Sequence, residues 1–231
     1  MSIAENLVSV QQRVDSACER SGRDPGDVRL VGVSKTFPLA TLQAAADAGL
    51  RVFGENKAQE IASKRSEWSA APAELEWHFI GHLQRNKSRL IAEHANVFHA
   101  LDSSRLARAL NSHCGELGRR LVCFLQVNVS GEDSKFGVAP SALGDLLDAV
   151  SDFEHLDVTG LMTLAAPVSN PEDVRPQFAL LRDLAQKHSK EAGPQLAHLS
   201  MGMSGDFEIA VEEGATHVRV GSAIFGYRSY P

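Results

Sequence analysis

A lysine at the end of an apolar run is the first residue of this chain that could do chemistry. Lys35 follows the β-branched segment Leu30-Val-Gly-Val33 and Ser34. If the segment is a buried strand, the amine at its end is partly desolvated, which lowers its pKa and makes the neutral, nucleophilic form more available. Such an amine forms Schiff bases with aldehydes. A surface lysine that begins a loop is the alternative, and position alone leaves both open.

Two segments near the end of the sequence could hold an anion. Residues 198–206 contain Ser200 and Ser204 among glycines, and residues 218–226 contain Gly221 and Ser222. Small residues let the backbone approach a ligand closely, and the amides that begin a helix favour negative charge. Ordinary turn chemistry is the alternative, since glycine and serine are common in loops. Neither GxxxxGK[ST] nor a helix-opening GxGxxG occurs, so nucleotide loops of those kinds are not indicated.

Short apolar runs alternate with amphipathic stretches along the whole chain. After a helix over Ile3–Gly22, strands are predicted at Val28–Lys35, Arg51–Asn56, Leu75–Gly81, Val97–Leu101, Leu121–Val129, Leu156–Leu164, His198–Met201 and Val218–Phe225. Strands that alternate with helices form parallel sheets, and eight such units fit a closed barrel. We therefore expect an α/β fold, a single (β/α)8 TIM-type barrel over residues 1–231 with an extra N-terminal helix and no second domain. Periodicity alone leaves an open doubly wound sheet as the alternative.

Polar residues stand where most of these strands are predicted to end. They include Ser34-Lys35, Glu55-Asn56, Gly81-His82, Asp102, Asn128, Met162-Thr163, Ser200, Arg219 and Gly221-Ser222. The carboxyl ends of barrel strands form the active face, and phosphates often bind the loops after strands seven and eight. The two glycine- and serine-containing segments follow those strands, which favours an anion site there.

Composition and charge exclude several classes of function. The net charge of -6 argues against a nucleic-acid surface, and no stretch approaches the roughly 20 apolar residues of a membrane helix. Three separated cysteines without a CxxC pair indicate reduced thiols, and the nine histidines show no ligand spacing that predicts a metal site. Because the first residues do not resemble a signal peptide, we expect a cytoplasmic protein that binds neither membranes nor nucleic acid.

The chain resembles the pyridoxal phosphate homeostasis protein family, single-domain relatives of the N-terminal barrel of bacterial alanine racemase. The matching segments are Val31–Thr36, Phe53–Asn56, Trp77–Gln84 with Asn86-Lys87, Asn128–Lys135, Gly160–Met162, Leu199–Ser204 and Val218–Gly226. They occur in order over nearly the whole chain, and together they are far more specific than any one of them alone.

The resemblance implies that pyridoxal 5'-phosphate (PLP) is the cofactor and that Lys35 binds it as a Schiff base. It also implies that Asn56 lies beside the cofactor ring and that Arg219 faces the pyridine nitrogen. The phosphate would be held by Ser200, Met201, Gly221 and Ser222. His82 stands at a position that varies within the family, which weakens a catalytic interpretation of that residue.

The same residues favour a carrier over an enzyme. An arginine at the ring nitrogen stays charged and leaves the pyridine unprotonated, which makes it a poorer electron sink. Alanine racemases use a second base, a tyrosine from another domain, whereas the only tyrosines here are Tyr227 and Tyr230. We therefore expect a non-catalytic protein, involved in PLP homeostasis, that buffers PLP or delivers it to apo PLP-dependent enzymes.

Two alternatives to the carrier remain open. One is a weak PLP-dependent racemase or other PLP enzyme, and the other is a regulatory protein that only senses PLP or binds a partner. A monomer is expected because the tyrosine-bearing domain of the racemases is absent. Lys135, in the loop after the fifth strand, is a hypothetical second amine for transfer, with a solvated loop lysine as its alternative.

Overall fold

Eight parallel strands close into a barrel in the order of the sequence. The computed structural model describes residues 2–68, 70–132, 135–166, 168–190 and 196–226. The strands are β1 (Arg29–Val33), β2 (Val52–Glu55), β3 (Glu76–Phe79), β4 (Val97–Leu101), β5 (Leu121–Gln126), β6 (Leu156–Met162), β7 (His198–Ser200) and β8 (His217–Val220). β1 pairs with both β2 and β8, so the sheet has no free edge. The predicted (β/α)8 fold is confirmed, and the open doubly wound sheet was the wrong alternative.

Helices follow the strands and cover the outside of the barrel. They are α1 (Ile3–Ser21), α2 (Leu39–Asp47), α3 (Ala58–Glu67), α4 (Ser88–His94), α5 (Ser104–Glu116), α6 (Leu143–Val150), α7 (Arg175–Lys190), α8 (Phe207–Glu212) and α9 (Ser222–Phe225). Short 3-10 turns lie at Pro25–Asp27, Arg85–Lys87, Pro140–Ala142 and Pro171–Val174.

The extra helix α1 is specified by local signals at both of its ends. The Ser2 hydroxyl accepts from the amide of Glu5, whose carboxylate accepts from the amide of Ser2, which makes a capping box. Gly22 ends the helix in the left-handed conformation at φ 67°. The apolar face, including Val10 and Val14, is buried, so α1 is anchored to the barrel by packing.

The prediction of the last strand was wrong at its end. Val218–Phe225 was expected to be extended, but β8 ends at Val220 and Ser222–Phe225 forms the single helical turn α9. The amides of Ile224 and Phe225 both donate to the carbonyl of Gly221, which closes the turn. Gly221 therefore stands between strand and helix, at the end of the barrel.

A glycine allows β6 and β7 to approach each other closely. A Cβ atom placed on Gly160 would lie 2.1 Å from the carbonyl oxygen of His198 on β7. No real Cβ atom fits at that distance, so a larger residue must displace the strand that carries Ser200.

We expect Gly160→Ala to lower the free energy of unfolding by roughly 1–3 kcal/mol, because overpacking forces the backbone to move. The same change at Gly144, in helix α6, meets only ordinary van der Waals contact with His188 and should be neutral or stabilising by up to about 1 kcal/mol. Urea unfolding of both variants measures the difference. Equal stability of the two variants would contradict the close approach.

Candidate functional site

A cavity of about 740 Å³ opens at the carboxyl ends of the strands. Its lining includes residues from the loops after β1, β2, β3, β7 and β8, together with side chains from β5 and β8. The lining residues are Val33, Lys35, Phe37, Asn56, Ile80, Gly81, His82, Gln126, Phe136, Leu164, Met203, Ser204, Gly205, Arg219, Gly221, Ser222 and Gly226. The volume is within the range of small-molecule sites.

The cavity brings together five of the seven residues predicted to bind the cofactor. Lys35, Asn56, Arg219, Gly221 and Ser222 all line it. Three of them come from β8 and the turn after it, whereas Lys35 and Asn56 follow β1 and β2.

Ser200 and Met201 do not reach the cavity. Both are fully buried, and Met203, Ser204 and Gly205 line the cavity in their place. Gly202 causes this change because its φ of 89° turns the chain, and a Cβ there would lie 2.5 Å from that of Ala210. Within this segment, the residues that line the cavity thus lie further along the chain than Ser200 and Met201.

The strand end that carries Lys35 is fixed by a buried ionic cluster. The ammonium of Lys64 donates to the Ser34 carbonyl at 2.8 Å, to Glu55 at 2.7 Å and to Glu60 at 2.8 Å. The Ser34 hydroxyl donates to the same Glu55 oxygen at 2.7 Å. Burial raises the pKa of the Glu55 carboxyl, an effect that Lys64 opposes.

The residue after Lys35 is held by the same cluster. Thr36 has a φ of 70°, unusual for a residue other than glycine, and its amide donates to Glu60 at 2.5 Å. The backbone is thus tied down on both sides of Lys35. Sequence reasoning missed this cluster because Lys64 belongs to helix α3, which has no sequence pattern that connects it to β1.

Asn56 presents an unsatisfied oxygen at the cavity. Its Oδ1 atom is buried and has no hydrogen-bond partner among the described residues. A Cβ on Gly81 would lie 2.4 Å from the Asn56 carbonyl oxygen, so the glycine permits this close packing. Buried polar atoms are nearly always paired, so this oxygen is an exception within the site.

Arg219 is a buried cation at the inner side of the cavity. Its guanidinium donates to the Ser200 hydroxyl at 2.6 Å and to the Thr163 carbonyl at 2.7 Å. Burial lowers the pKa of Arg219 to about 10, partly offset by Asp206, so the side chain is still charged at neutral pH.

The cavity is positively charged although the protein is acidic overall. Its described lining includes Lys35 and Arg219 but no aspartate or glutamate. At the end near β7 and β8, the Ser204 hydroxyl accepts from the Gly221 amide at 3.2 Å, with Ser222 beside it. A local positive site of this kind suits an anionic ligand.

The mouth of the cavity is apolar and carries one histidine. The His82 ring stacks on Phe136 with centroids 3.8 Å apart, and its Nδ1 lies 3.5 Å from Asp102 Oδ2. Phe136, Leu164 and Met203 line the cavity but are between 37% and 53% exposed. The rim therefore offers both an oriented acid–base group and apolar surface.

A row of hydrogen-bonded histidines lies beneath Arg219. His99 Nδ1 lies 2.8 Å from the Ser200 hydroxyl, and His99 Nε2 lies 2.9 Å from His78 Nδ1. His78 Nε2 contacts Glu76 at 3.2 Å, at the opposite end of the barrel. Burial lowers the pKa of His78 and lowers those of His99 and His217 much further, so the rings are neutral at neutral pH.

Sequence reasoning missed these histidines because they lie on separate strands. Their common signal is that His78, His99 and His217 each fall within a predicted strand or directly beside one. Within the described ranges, no group of three or more histidine, cysteine, aspartate or glutamate side chains could hold a metal ion.

Lys135 follows β5 but does not line the cavity. Its ammonium donates to the Ala165 carbonyl at 3.0 Å and lies 3.6 Å from Glu132. Tyr227 and Tyr230, considered above as second bases, lie outside the described residues. No helix among the described residues is both long enough and apolar enough to cross a membrane.

The family model described as alanine racemase, N-terminal domain, matches residues 5–229. The pyridoxal phosphate homeostasis protein of Aquifex aeolicus is 41% identical over 230 residues, and the match covers 100% of this chain and 100% of that protein. The protein of the same name from Pseudomonas aeruginosa is 44% identical over 99% of this chain and 97% of its own.

Solved structures agree with these relationships. The structure of PipY from Synechococcus elongatus PCC7942 with PLP bound has a TM-score of 0.86 and 38% identity, over 97% of this chain and 100% of that chain. An alanine racemase from Corynebacterium glutamicum has a TM-score of 0.74 at 17% identity, over 98% of this chain and 61% of that chain, which shows a shared fold alone.

The neutral histidines predict loss of stability in acid. Their folded-state pKa values lie below the ordinary value of 6.5, so the unfolded chain binds more protons as the pH falls below 6.5. Each such histidine contributes a slope of about 1.4 kcal/mol per pH unit. We expect His99→Phe to reduce the slope of the unfolding free energy by about that amount between pH 6.5 and 5.

Denaturant unfolding at several pH values measures this slope. Phe124→Leu is the matched control, because it alters a buried neighbour of His99 that does not titrate. The control should change the stability but leave the pH slope unaltered. A wild-type slope in His99→Phe would show that His99 is not held neutral by burial.

Proposed function

Because the chain belongs to the pyridoxal phosphate homeostasis protein family, we propose that it takes part in intracellular PLP homeostasis by holding PLP as a Schiff base on Lys35. The observation that carries this proposal is the convergence of Lys35, Asn56 and Arg219 on one positively charged cavity. The PLP bound in the PipY structure supports it.

Lys35 is the proposed site of covalent attachment. When PLP is bound, its aldehyde condenses with the Lys35 ε-amine with loss of water, so that a C=N bond joins cofactor and chain. The Lys64 cluster fixes the backbone on both sides of this residue. Asn56 lines the same cavity, where its side chain would lie beside the ring of PLP.

The phosphate is best accommodated where the β7 and β8 loops meet. Gly221 and Ser222 keep the role that the family resemblance implies. Ser204 and Gly205 join them, because these residues line the cavity. Met201 is fully buried outside the cavity lining, and Ser200 acts through its hydrogen bond to Arg219 rather than on the phosphate.

Arg219 is the proposed partner of the pyridine nitrogen. A guanidinium only donates hydrogen bonds, so it leaves the ring nitrogen unprotonated and the ring a poor electron sink. This property favours holding PLP over carbanion chemistry and supports a non-catalytic role.

The exposed apolar rim of Phe136, Leu164 and Met203 supports delivery, because an apo-enzyme that receives PLP needs a surface to contact. We further propose a cytoplasmic monomer.

A weak PLP-dependent racemase is the second candidate. The observation that favours it is His82, which lines the cavity and is oriented by Asp102. An imidazole in that position could exchange a proton with a bound amino acid. For slow turnover, His82 would then take the place of the tyrosine that serves as second base in alanine racemases.

PLP added to the purified protein should give a visible absorption band that borohydride converts to a permanent adduct on Lys35. Lys35→Ala should lose the band and the adduct, because it removes the amine. Lys57→Ala is the matched control, since Lys57 is exposed on the next loop and does not line the cavity. Absorption spectra and peptide mass spectrometry give the readout. A borohydride adduct on another lysine would refute the assignment.

The loaded protein should transfer PLP to an apo PLP-dependent enzyme without racemising, transaminating or decarboxylating L-alanine at ordinary enzyme rates. Restored activity of the recipient measures transfer, and chiral chromatography measures racemisation. Turnover that His82→Asn abolishes would instead establish the racemase. Lys135→Ala tests the second amine, because unchanged transfer by that variant would remove Lys135 from the route.

A further inference from the structure

A continuous chain of hydrogen bonds crosses the barrel from the cavity to the opposite end. It runs from the Arg219 guanidinium through Ser200, His99 and His78 to Glu76, with successive separations of 2.6, 2.8, 2.9 and 3.2 Å. Arg219 lines the cavity, whereas Glu76 is the first residue of β3 and its side chain is 33% exposed. The chain therefore connects the candidate site to the far surface.

All donors in this chain must point in one direction. An ionised carboxylate only accepts, so the neutral His78 donates from Nε2 to Glu76. His78 Nδ1 is then an acceptor, and His99 must donate to it from Nε2. His99 Nδ1 is therefore unprotonated and accepts from the Ser200 hydroxyl, whose oxygen in turn accepts from Arg219. The carboxylate end thus determines both histidine tautomers.

Such a chain is polarised by its terminal carboxylate. Donation to Glu76 makes the His78 ring a better acceptor, and the same effect passes to His99 and Ser200, because hydrogen bonds in series strengthen one another. The hydrogen bond with His78 lowers the pKa of Glu76 to about 2. Arg29, which donates to both Glu76 oxygens at 2.7 and 2.8 Å, lowers it further, and burial partly opposes both. The carboxylate remains ionised over the neutral range.

We propose that Glu76 is a positioning residue for the cofactor, which acts through His78, His99 and Ser200 to hold the Arg219 guanidinium toward the pyridine nitrogen. This inference rests on PLP binding in the cavity, as proposed above. Ser200 and Thr163 together fix both terminal nitrogens of Arg219, so the planar guanidinium has a single orientation. Loss of the charge on Glu76 weakens the first of these two anchors.

Other charged and titratable groups lie next to this series of hydrogen bonds, and a test must leave these residues unchanged. Arg29 pairs with Glu76, Asp206 acts on Arg219, and His217 packs 5.9 Å from the rings of both His78 and His99. Burial keeps His217 neutral, so it adds no charge at neutral pH. Of the residues joined by these hydrogen bonds, Glu76 is therefore the one that carries a negative charge.

A double-mutant cycle on the PLP-loaded protein tests the coupling. Glu76→Gln keeps an acceptor for His78 but removes the charge, and Ser200→Ala cuts the chain next to Arg219. We expect Glu76→Gln to weaken PLP binding about threefold and to raise the midpoint of the pH titration of the visible band by roughly 0.5 unit, since an Arg219 guanidinium that is held less firmly at the ring opposes protonation of the chromophore less. In the Ser200→Ala background, Glu76→Gln should have no further effect.

Glu74→Gln is the matched control. Glu74 pairs with Arg51 at 3.2 Å near the same end of the barrel but has no hydrogen bond to the chain. Its substitution should leave the titration unchanged. An equal shift in Glu74→Gln, or a Glu76→Gln shift that persists in Ser200→Ala, would mean that bulk electrostatics act through space, and the proposal would be wrong.

Nitrogen NMR of the cofactor-free protein tests the chain independently of PLP. His78 and His99 should both carry their proton on Nε2 and leave Nδ1 unprotonated at neutral pH. The opposite tautomer in either ring would overturn the proposal whatever the loaded protein does. If the wild-type protein gave no visible band with PLP, the proposed function would be wrong, and the role of Glu76 with it. The histidine tautomers would still show whether the series of hydrogen bonds from Arg219 to Glu76 exists.

Discussion

The buried arginine at the base of the cavity, Arg219, needs hydrogen-bond acceptors, and these determine which residues fill the interior of the barrel. A desolvated guanidinium is costly unless each donor finds an acceptor, and Arg219 finds them in the Thr163 carbonyl and the Ser200 hydroxyl. The Ser200 hydrogen then needs an acceptor of its own, which His99 provides, and the sequence of bonds ends at Glu76. A layer that barrels usually fill with branched aliphatic residues is therefore polar here.

The neighbouring part of the cavity, at the end of β1, carries a second cation that is held in place in a different way. Lys35 stands in a loop whose backbone is held by Lys64, Glu55 and Glu60, an ionic cluster sealed between β1, β2 and α3. Arg219 is held through Ser200 by neutral histidines, whereas the backbone beside Lys35 is held by Lys64, whose charge Glu55 and Glu60 compensate. Together they create a positive cavity within a chain of net charge -6, which is why global charge was no guide to the ligand.

The barrel itself does not distinguish a carrier from an enzyme. An alanine racemase shares it at 17% identity, whereas the homeostasis proteins match along the full chain at 41% and 44% identity. Function on such a scaffold depends on the groups at the strand ends. Arg219 opposite the proposed pyridine nitrogen, and an open apolar rim, are the features that favour storage and delivery over turnover.

The sequence by itself determined the strand order, the barrel and the position of Lys35, Asn56, Arg219, Gly221 and Ser222 at the cavity. These follow from local periodicity and from the rule that strand ends meet at one face. Only the tertiary structure decided that Ser204 and Gly205, and not Ser200 and Met201, line the cavity, because this depends on the left-handed turn at Gly202. The histidine chain and the Lys64 cluster were equally hidden, since their hydrogen bonds join residues on different elements whose alignment is fixed by strand register and closure of the barrel.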